Sequence, residues 1–239
     1  MGISSTHLTL GVIQARMGSS RLPGKSLRNL FGKPLIDHVI ERALFVLDVD
    51  KIVLATTTNS EDDVLVSHVS KRFGIDVYRG LSHDVRSRFV QIGAQKGAEC
   101  IIRITADDPF KDPEHFLLAK QRLLLSNADY YNNFEPQIYP IGMDVECFKY
   151  EALERNSRED QTSESLEHVT WGLRKGVNYK RTHENQTPEF ISTRLTIDTE
   201  MDFAFCNKVA EKIGQGEKYD WNTTLRALKS LEVNDPKEK

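Results

Sequence analysis

Residues 8–27 read LTLGVIQARMGSSRLPGKSL. The first part is a nearly unbroken apolar run, as a strand buried on both faces requires. The second part is no ordinary turn: Arg16, Arg21 and Lys25 fall within ten residues, interleaved with Gly18, Ser19, Ser20 and Gly24. Glycines let the backbone approach a ligand closely, and cationic side chains neutralise phosphate oxygens, so the loop is suited to cradle a polyphosphate. From Gly18 to Gly24-Lys25-Ser26 the spacing is G-x5-G-K-S. That is one residue too long for a P-loop, and the next helical pattern waits until Pro34, so a P-loop is excluded.

Outward from this stretch, β-rich runs at 51–58 (KIVLATTT), 76–80 (DVYRG) and 100–107 (CIIRITAD) alternate with helical periodicity at 34–47, 61–73 and 83–96. Ser60 and Ser82 precede the second and third helical stretches as caps, and Pro34 opens the first. Strand and helix in strict alternation predict a parallel sheet covered by helices on both faces, with ligands beyond the carboxyl ends of the strands. Beyond residue 126 the pattern loosens. Strands are predicted at 128–133, 142–148, 178–183 and 194–198, and helices at 151–157, 164–175, 200–213 and 223–231. The stretch at about 134–193 reads as an insertion into a single domain spanning 1–239, followed by a charged tail, NDPKEK.

The 239 residues carry 32 Lys+Arg against 35 Asp+Glu, a formal charge of −3. A general nucleic-acid binder or polybasic membrane-surface protein would be strongly basic, so any anion must be held by a local cluster such as the 16–25 loop. Cys100, Cys147 and Cys206 are far apart and lack ligand spacing, which predicts neither disulfides nor zinc. No basic-then-apolar leader opens the chain and no run approaches the roughly 18 apolar residues of a membrane span, so a cytoplasmic protein is expected.

ARMGSSRLPGKSL (15–27) followed by GKPLIDHVIERA (32–43) resembles the signature of the cytidylyltransferases that make CMP-activated sugars and sugar acids. Within them it is most similar to the SpsF-type proteins of spore-coat and surface polysaccharide synthesis. The likeness continues through KIVLATTTNSEDD (51–63), VYRGLSHDVRSRF (77–89), RITADDPFKDPE (103–114), YPIGMDVECF (139–148), EHVT (167–170) and RLTIDTEMDF (194–203). It implies a three-layer α/β/α Rossmann-like nucleotide-diphospho-sugar transferase fold, with a mixed, mostly parallel sheet and an inserted acceptor and dimerisation region. It also implies Mg2+-dependent attack of an acceptor oxygen on the α-phosphorus of CTP, releasing pyrophosphate, in a homodimer.

Carried over residue by residue, the resemblance makes Arg16, Arg21 and Lys25 the catalytic grip on the triphosphate. Ala15, Gly18, Ser19, Ser20, Gly24, Thr57, Asp84 and Arg88 would border the nucleotide. Asp107 and Asp198 would hold the metal, at the ends of strands that could be neighbours. Read alone, Asp107 reads as a strand-end turn or cap residue and Asp198 as a helix N-cap; the matched blocks reverse this. Asp84 and Arg88 could likewise be a helix cap and an exposed ion pair. Two departures stand out: Ala106 replaces a usual Gly, and Asp108 an often-Cys position, leaving open which aspartate meets the metal. Asp144, Glu146, Glu167 and His168 match blocks near the acceptor pocket, the first two alternating along a predicted strand. Tyr130, Tyr131, Phe134 and Tyr139 read as either interface or core. A hydroxyl acceptor would need a general base, which the sequence does not identify. Two competing classes are a glycosyltransferase of the same fold, which predicts a D-x-D motif where Ala106-Asp107-Asp108-Pro109 stands, and a catalytically silent subunit, which predicts a lost loop cation or carboxylate. The acceptor, a sugar, sugar acid or small phosphorylated metabolite, is not legible.

Overall fold

A computed structural model describes residues 8–47, 51–184, 192–218 and 220–232. The charged tail at 234–239 lies outside these residues. β1 (Thr9–Gln14), β4 (Ile52–Thr57), β5 (Asp76–Gly80) and β6 (Cys100–Thr105) form the parallel part of a seven-stranded sheet, after a small hairpin of β2 (Asn29–Leu30) and β3 (Lys33–Pro34). β7 (Tyr130–Asn132), β8 (Glu146–Lys149) and β9 (Arg181–His183) complete the order β5-β4-β1-β6-β8-β7-β9. β8 runs antiparallel to both β6 and β7, so the sheet is mixed but mostly parallel. Two of its strands, β8 and β9, come from within the 134–193 stretch.

The period-2 geometry of the strands divides the core into two layers. Ile13, Leu54 and Ile104 pack under α1 (Leu35–Leu44), α2 (Asp63–Phe73) and α4 (Pro113–Leu125). Leu10, Val12 and Val53 point to the other face, against α3 (Val85–Lys96) and α5 (Tyr150–Glu159). Both faces are therefore dry, which is why the strands read as continuous apolar runs. A third cluster joins Leu22 and Leu30 to α8 (Glu200–Ile213) and α9 (Trp221–Glu232). It anchors the phosphate-type loop at Leu22, only 4% exposed.

The N-cap positions of α2 and α3 are Asp62 and Asp84, not the expected Ser60 and Ser82, and three element predictions change. The helix expected over 164–175 is two short ones, α6 (Ser163–Glu167) and α7 (Trp171–Lys175), broken where Val169 adopts φ +47°. The 194–198 segment is not a ladder strand: Arg194 bridges Ile141, and the Ile197 amide donates to the Asp107 carbonyl at 2.9 Å. Its alternating Leu195 and Ile197 are buried in the core cluster that includes α8 and α9. The strand expected over 142–148 begins only at Glu146. Helix α4 has no counterpart among the expected elements. Tyr130, Tyr131 and Tyr139 are 5% exposed or less, so they are core. Among the described residues no helix is long and apolar enough to cross a membrane.

The chain runs from β1 outward through β4 to β5, then returns to lay β6 on the opposite side of β1. The loops after β1 and β6 thus face each other across the switch in strand order, where open α/β sheets bind ligands.

Candidate active site

The loop after β1 is shaped by its own backbone and by one carboxylate from afar. The Met17 carbonyl accepts from the Ser19 and Gly24 amides, both at 2.9 Å. Gly24 sits at φ +74°, a conformation other residues adopt reluctantly, and starts a short 3-10 turn at Lys25–Leu27. The Ser26 hydroxyl donates to the Arg16 carbonyl at 3.2 Å. Asp62, fully buried, accepts from the Met17 amide at 2.6 Å, the Thr56 hydroxyl at 3.1 Å, the Thr57 amide at 3.2 Å and the Thr57 hydroxyl. A buried carboxylate with several donors is both satisfied and rigid, so Asp62 fastens the loop to the end of β4. Arg79 completes the brace, donating to the Thr57 and Asn59 carbonyls, each at 2.8 Å.

That loop turns Lys25 inward. Its Nζ lies 2.9 Å from Asp107 Oδ2, 3.2 Å from Asp198 Oδ1 and 2.6 Å from the Ile197 carbonyl. Arg21 and Arg194 pair with Asp198 at 3.0 and 3.1 Å. Arg21, Lys25, Asp107 and Asp198, up to 177 residues apart in sequence (198 minus 21), thus meet at one point. Neither acid is spent on capping: Thr199 and Asp202 form the reciprocal capping box of α8. Asp108 is engaged elsewhere. It is 6% exposed, accepts from Thr105 and pairs with Lys111 at 2.9 Å.

Asp107 and Asp198 each present an oxygen to a single ammonium, so their oxygens converge. Hard, oxygen-only donors of this kind fit a magnesium ion that takes its remaining ligands from phosphate and water. Among the described residues there is no cluster of three or more potential metal ligands, so such an ion would depend on the nucleotide to complete its shell.

At the nucleotide side the expected residues scatter in role. Ala15 is buried, Gly18 and Ser19 half-buried, and Arg16, Ser20 and Arg21 exposed. Thr57 is engaged by Asp62, and Asp84 caps α3 by accepting the Ser87 amide at 2.8 Å. Arg88 is 2% exposed, reaches the Ala55 carbonyl at 3.4 Å and leaves its Nε without a partner among the described residues. Burial, then repulsion from Arg16, pushes its guanidinium below its ordinary pKa. A buried cation under a second cation at the strand ends is an environment that an anion would relieve.

Beside the Lys25 knot lies a cavity of about 310 Å³, lined by Asp107, Asp198, Asp144 and Glu146 among others. Glu146 forms its floor: Arg103 at 2.6 Å, the Tyr130 hydroxyl at 2.6 Å and the Thr170 hydroxyl at 2.5 Å all bind its carboxylate. Burial alone would raise this carboxyl, but Arg103 and the two hydroxyls outweigh it and hold it below the usual range. Asp144 behaves oppositely. Burial, with Asp108 and Glu146 adding repulsion, pushes it up to about 6 against the pull of Lys111. Glu167 and His168 are exposed and are not among the lining residues. From their block it is Thr170 that reaches the cavity floor, donating to Glu146. Asp62, Arg79, Lys111 and Thr170 carry no motif of their own, and sequence reasoning misses them.

A sheet with its phosphate-type loop and paired carboxylates at the strand-order switch defines a nucleotide-handling transferase. The cytidylyltransferase family profile matches residues 10–225, and the chain belongs to that family. It is a CTP-using nucleotidyltransferase on that ground. The spore coat polysaccharide biosynthesis protein SpsF of Bacillus subtilis (strain 168) is 36% identical over 217 residues, covering 86% of this chain and 88% of that one. A 3-deoxy-manno-octulosonate cytidylyltransferase of Escherichia coli is 38% identical over 104 residues, 43% of this chain and 40% of its own. A cytidylyltransferase structure from Leptospira borgpetersenii serovar Hardjo-bovis (strain JB197) superposes with a TM-score of 0.85 at 24% identity, covering 95% of this chain and 94% of that one. The structure of CMP:2-keto-3-deoxy-manno-octonic acid synthetase complexed with CTP gives a TM-score of 0.63 at 21% identity, covering 83% and 96%. The expected Rossmann-like fold is therefore the observed one.

Proposed function

We propose that this protein transfers CMP from CTP to a sugar, sugar acid or small phosphorylated metabolite, releasing pyrophosphate, with Mg2+ as cofactor, in surface polysaccharide synthesis. The observation that carries this reading is the convergence of Lys25, Arg21, Asp107 and Asp198 at the mouth of the switch crevice. Resemblance to the spore coat protein supports the polysaccharide context. A cytoplasmic homodimer, with 134–193 supplying the acceptor pocket and dimer contact within a single domain, belongs to the same proposal.

Asp107 and Asp198 would hold the ion, which supplies charge neutralisation at the phosphates. Lys25, Arg21 and Arg194 now bind carboxylates, and on CTP entry they exchange those partners for phosphate oxygens. Arg16 joins them from the exposed rim of the loop. Charge builds on the α-phosphate and the departing pyrophosphate as the acceptor oxygen attacks, and preorganised cations there lower the barrier. Asp62 and Arg79 hold the loop and the Thr57 turn, so the cations need not reorganise during the step.

The test is pyrophosphate release from CTP with Mg2+ and a panel of sugars, sugar acids and phosphorylated metabolites. Lys25→Ala and Asp107→Asn serve as controls. Turnover with CTP, lost in both variants, supports the reading; full turnover in either, or preference for ATP or UTP over CTP, overturns it.

A further inference from the structure

Every strongly held charge on the acceptor cavity has a counterpart. Glu146 has Arg103 at 2.6 Å, Asp108 has Lys111 at 2.9 Å, and Asp198 has Arg194 at 3.1 Å. Arg174, on α7, pairs with Glu135 at 2.6 Å. Asp144 differs. It makes no ion pair among the described residues, and its Oδ1 is buried without a hydrogen-bond partner among them. The ammonium of Lys111, which also lines the cavity, donates to the Asp144 backbone carbonyl and pairs with Asp108.

An unpartnered buried carboxylate oxygen is costly unless a ligand supplies the missing donor. The cavity holding it also contains Asp107 and Asp198, so a molecule in that space reaches the phosphate-binding end. We propose that Asp144 is the proton acceptor for an attacking hydroxyl, and that the acceptor is therefore an alcohol of a sugar or sugar acid, not a phosphate monoester. This rests on the CMP-transfer reading above. A phosphate monoester would bring further negative charge beside Asp144, Asp108 and Glu146, where the cations are already held, and its anionic oxygen would need no base.

The step balances simply. An oxygen lone pair of the hydroxyl forms the bond to the α-phosphorus while its proton passes to the Asp144 carboxylate. The bond from the α-phosphorus to the bridging oxygen breaks, and pyrophosphate leaves with that electron pair. The proton then departs from Asp144 to solvent. Burial first, then repulsion from Asp108 and Glu146, sets Asp144 at about 6 despite Lys111 and a hydrogen bond from Gln137. Arg174, Arg194 and Asp198 face it from the other walls of the cavity, the first two already paired. A base of this strength is ionised at neutral pH yet accepts a proton readily.

The experiment measures pyrophosphate release from CTP and Mg2+ across pH, with 3-deoxy-manno-octulosonate and neutral hexoses as hydroxyl acceptors and glucose 1-phosphate as the phosphate acceptor. With a hydroxyl acceptor, kcat is expected to fall below a pH of about 6. Asp144→Asn is expected to lose about 10²–10⁴-fold in kcat and the acid limb with it, with CTP affinity unchanged. Asp144→Glu, which keeps a carboxylate, is expected to restore part of the rate and an acid limb; thermal unfolding verifies that both variants fold. An Asp144→Asn protein that keeps the wild-type rate, or is slow but keeps the acid limb, overturns the assignment while CMP transfer stands. So does faster turnover of glucose 1-phosphate that is indifferent to Asp144→Asn. No pyrophosphate release by the wild type with any acceptor overturns both.

Discussion

Asp198 lies within 3.2 Å of three cations, whereas Asp144, on the same cavity, keeps one carboxylate oxygen buried with no hydrogen-bond partner among the described residues. The first is a set of charges that compensate one another until a larger anion arrives. Two of its cations are well exposed, Arg21 at 62% and Arg194 at 44%, and exposed ion pairs are weak enough to be exchanged. The second is a single carboxylate with no ion pair among the described residues, where burial and the repulsion of Asp108 and Glu146 outweigh the pull of Lys111 and Gln137. On the proposed reading, one cleft pairs its charges where a charged substrate would displace the pairs and leaves a carboxylate oxygen unpaired where a proton would be taken up.

The floor beneath both ends is the most sensitive place to break this arrangement. Arg103→Ala strands the buried Glu146 charge and is expected to destabilise the fold by about 3–5 kcal/mol, read from urea unfolding. A change much smaller than this would mean that Tyr130 and Thr170 alone suffice to hold the carboxylate. At the triphosphate end, Lys25→Ala should reduce CMP transfer by about 10²–10³-fold with little change in unfolding midpoint, since Arg21 and Arg194 still face Asp198. A large stability loss instead would show that the knot is structural before it is functional. Asp62→Ala should lower stability by about 1–3 kcal/mol and raise KM for CTP more than it lowers kcat, because the loop loses its tether to β4.

The remaining effects are those of pH on stability, and they carry opposite signs. Burial pushes His38 down to about 4 from its ordinary value of 6.5, so the stability it contributes is complete above about 6.5 and is lost as the pH falls through about 4. Asp144 is raised to about 6, so its contribution is greatest below its unfolded value of 3.8 and is lost as the pH rises through about 6. Asp144→Asn is therefore expected to melt higher than the wild type at pH 8 and to lose that advantage near pH 4. The same melting temperature at both values would contradict the contrast between Asp144 and its paired neighbours.

The parallel half of the sheet is legible in the sequence because both faces of each strand are dry: Leu10 and Val12 serve one layer and Ile13 the other. The loop cations are legible because three of them share ten residues with glycines. The second half is harder. Leu195 and Ile197 alternate like a strand, but alternation reports one buried side, and here that side belongs to the cluster with α8 and α9 rather than to a sheet ladder. α4 carries its own start signal, Asp112 accepting the Glu114 amide before Pro113, within a stretch whose acids read more readily as chemistry. Asp62 reads locally as one more acid at a helix start. Its burial depends on a loop 45 residues away. His168 stands out in its block as a titratable side chain, yet the turn at Val169 carries Thr170 onto Glu146 and leaves His168 outside.

Gly142 has φ +102°, and a Cβ there would meet the Thr196 amide nitrogen at 2.5 Å and the Leu195 carbonyl carbon at 2.6 Å. The Ile141 amide donates to the Thr193 carbonyl at 3.2 Å, and the Leu195 amide to the Ile141 carbonyl at 2.7 Å. The segment leading to Asp144 is thereby stitched to the one leading to Asp198. For anyone wishing to retarget the enzyme by grafting a relative's acceptor region, the seam matters: a chimera cut at residue 193 severs this stitching, whereas one that carries the donor's chain through residue 198 transplants both sides of it together.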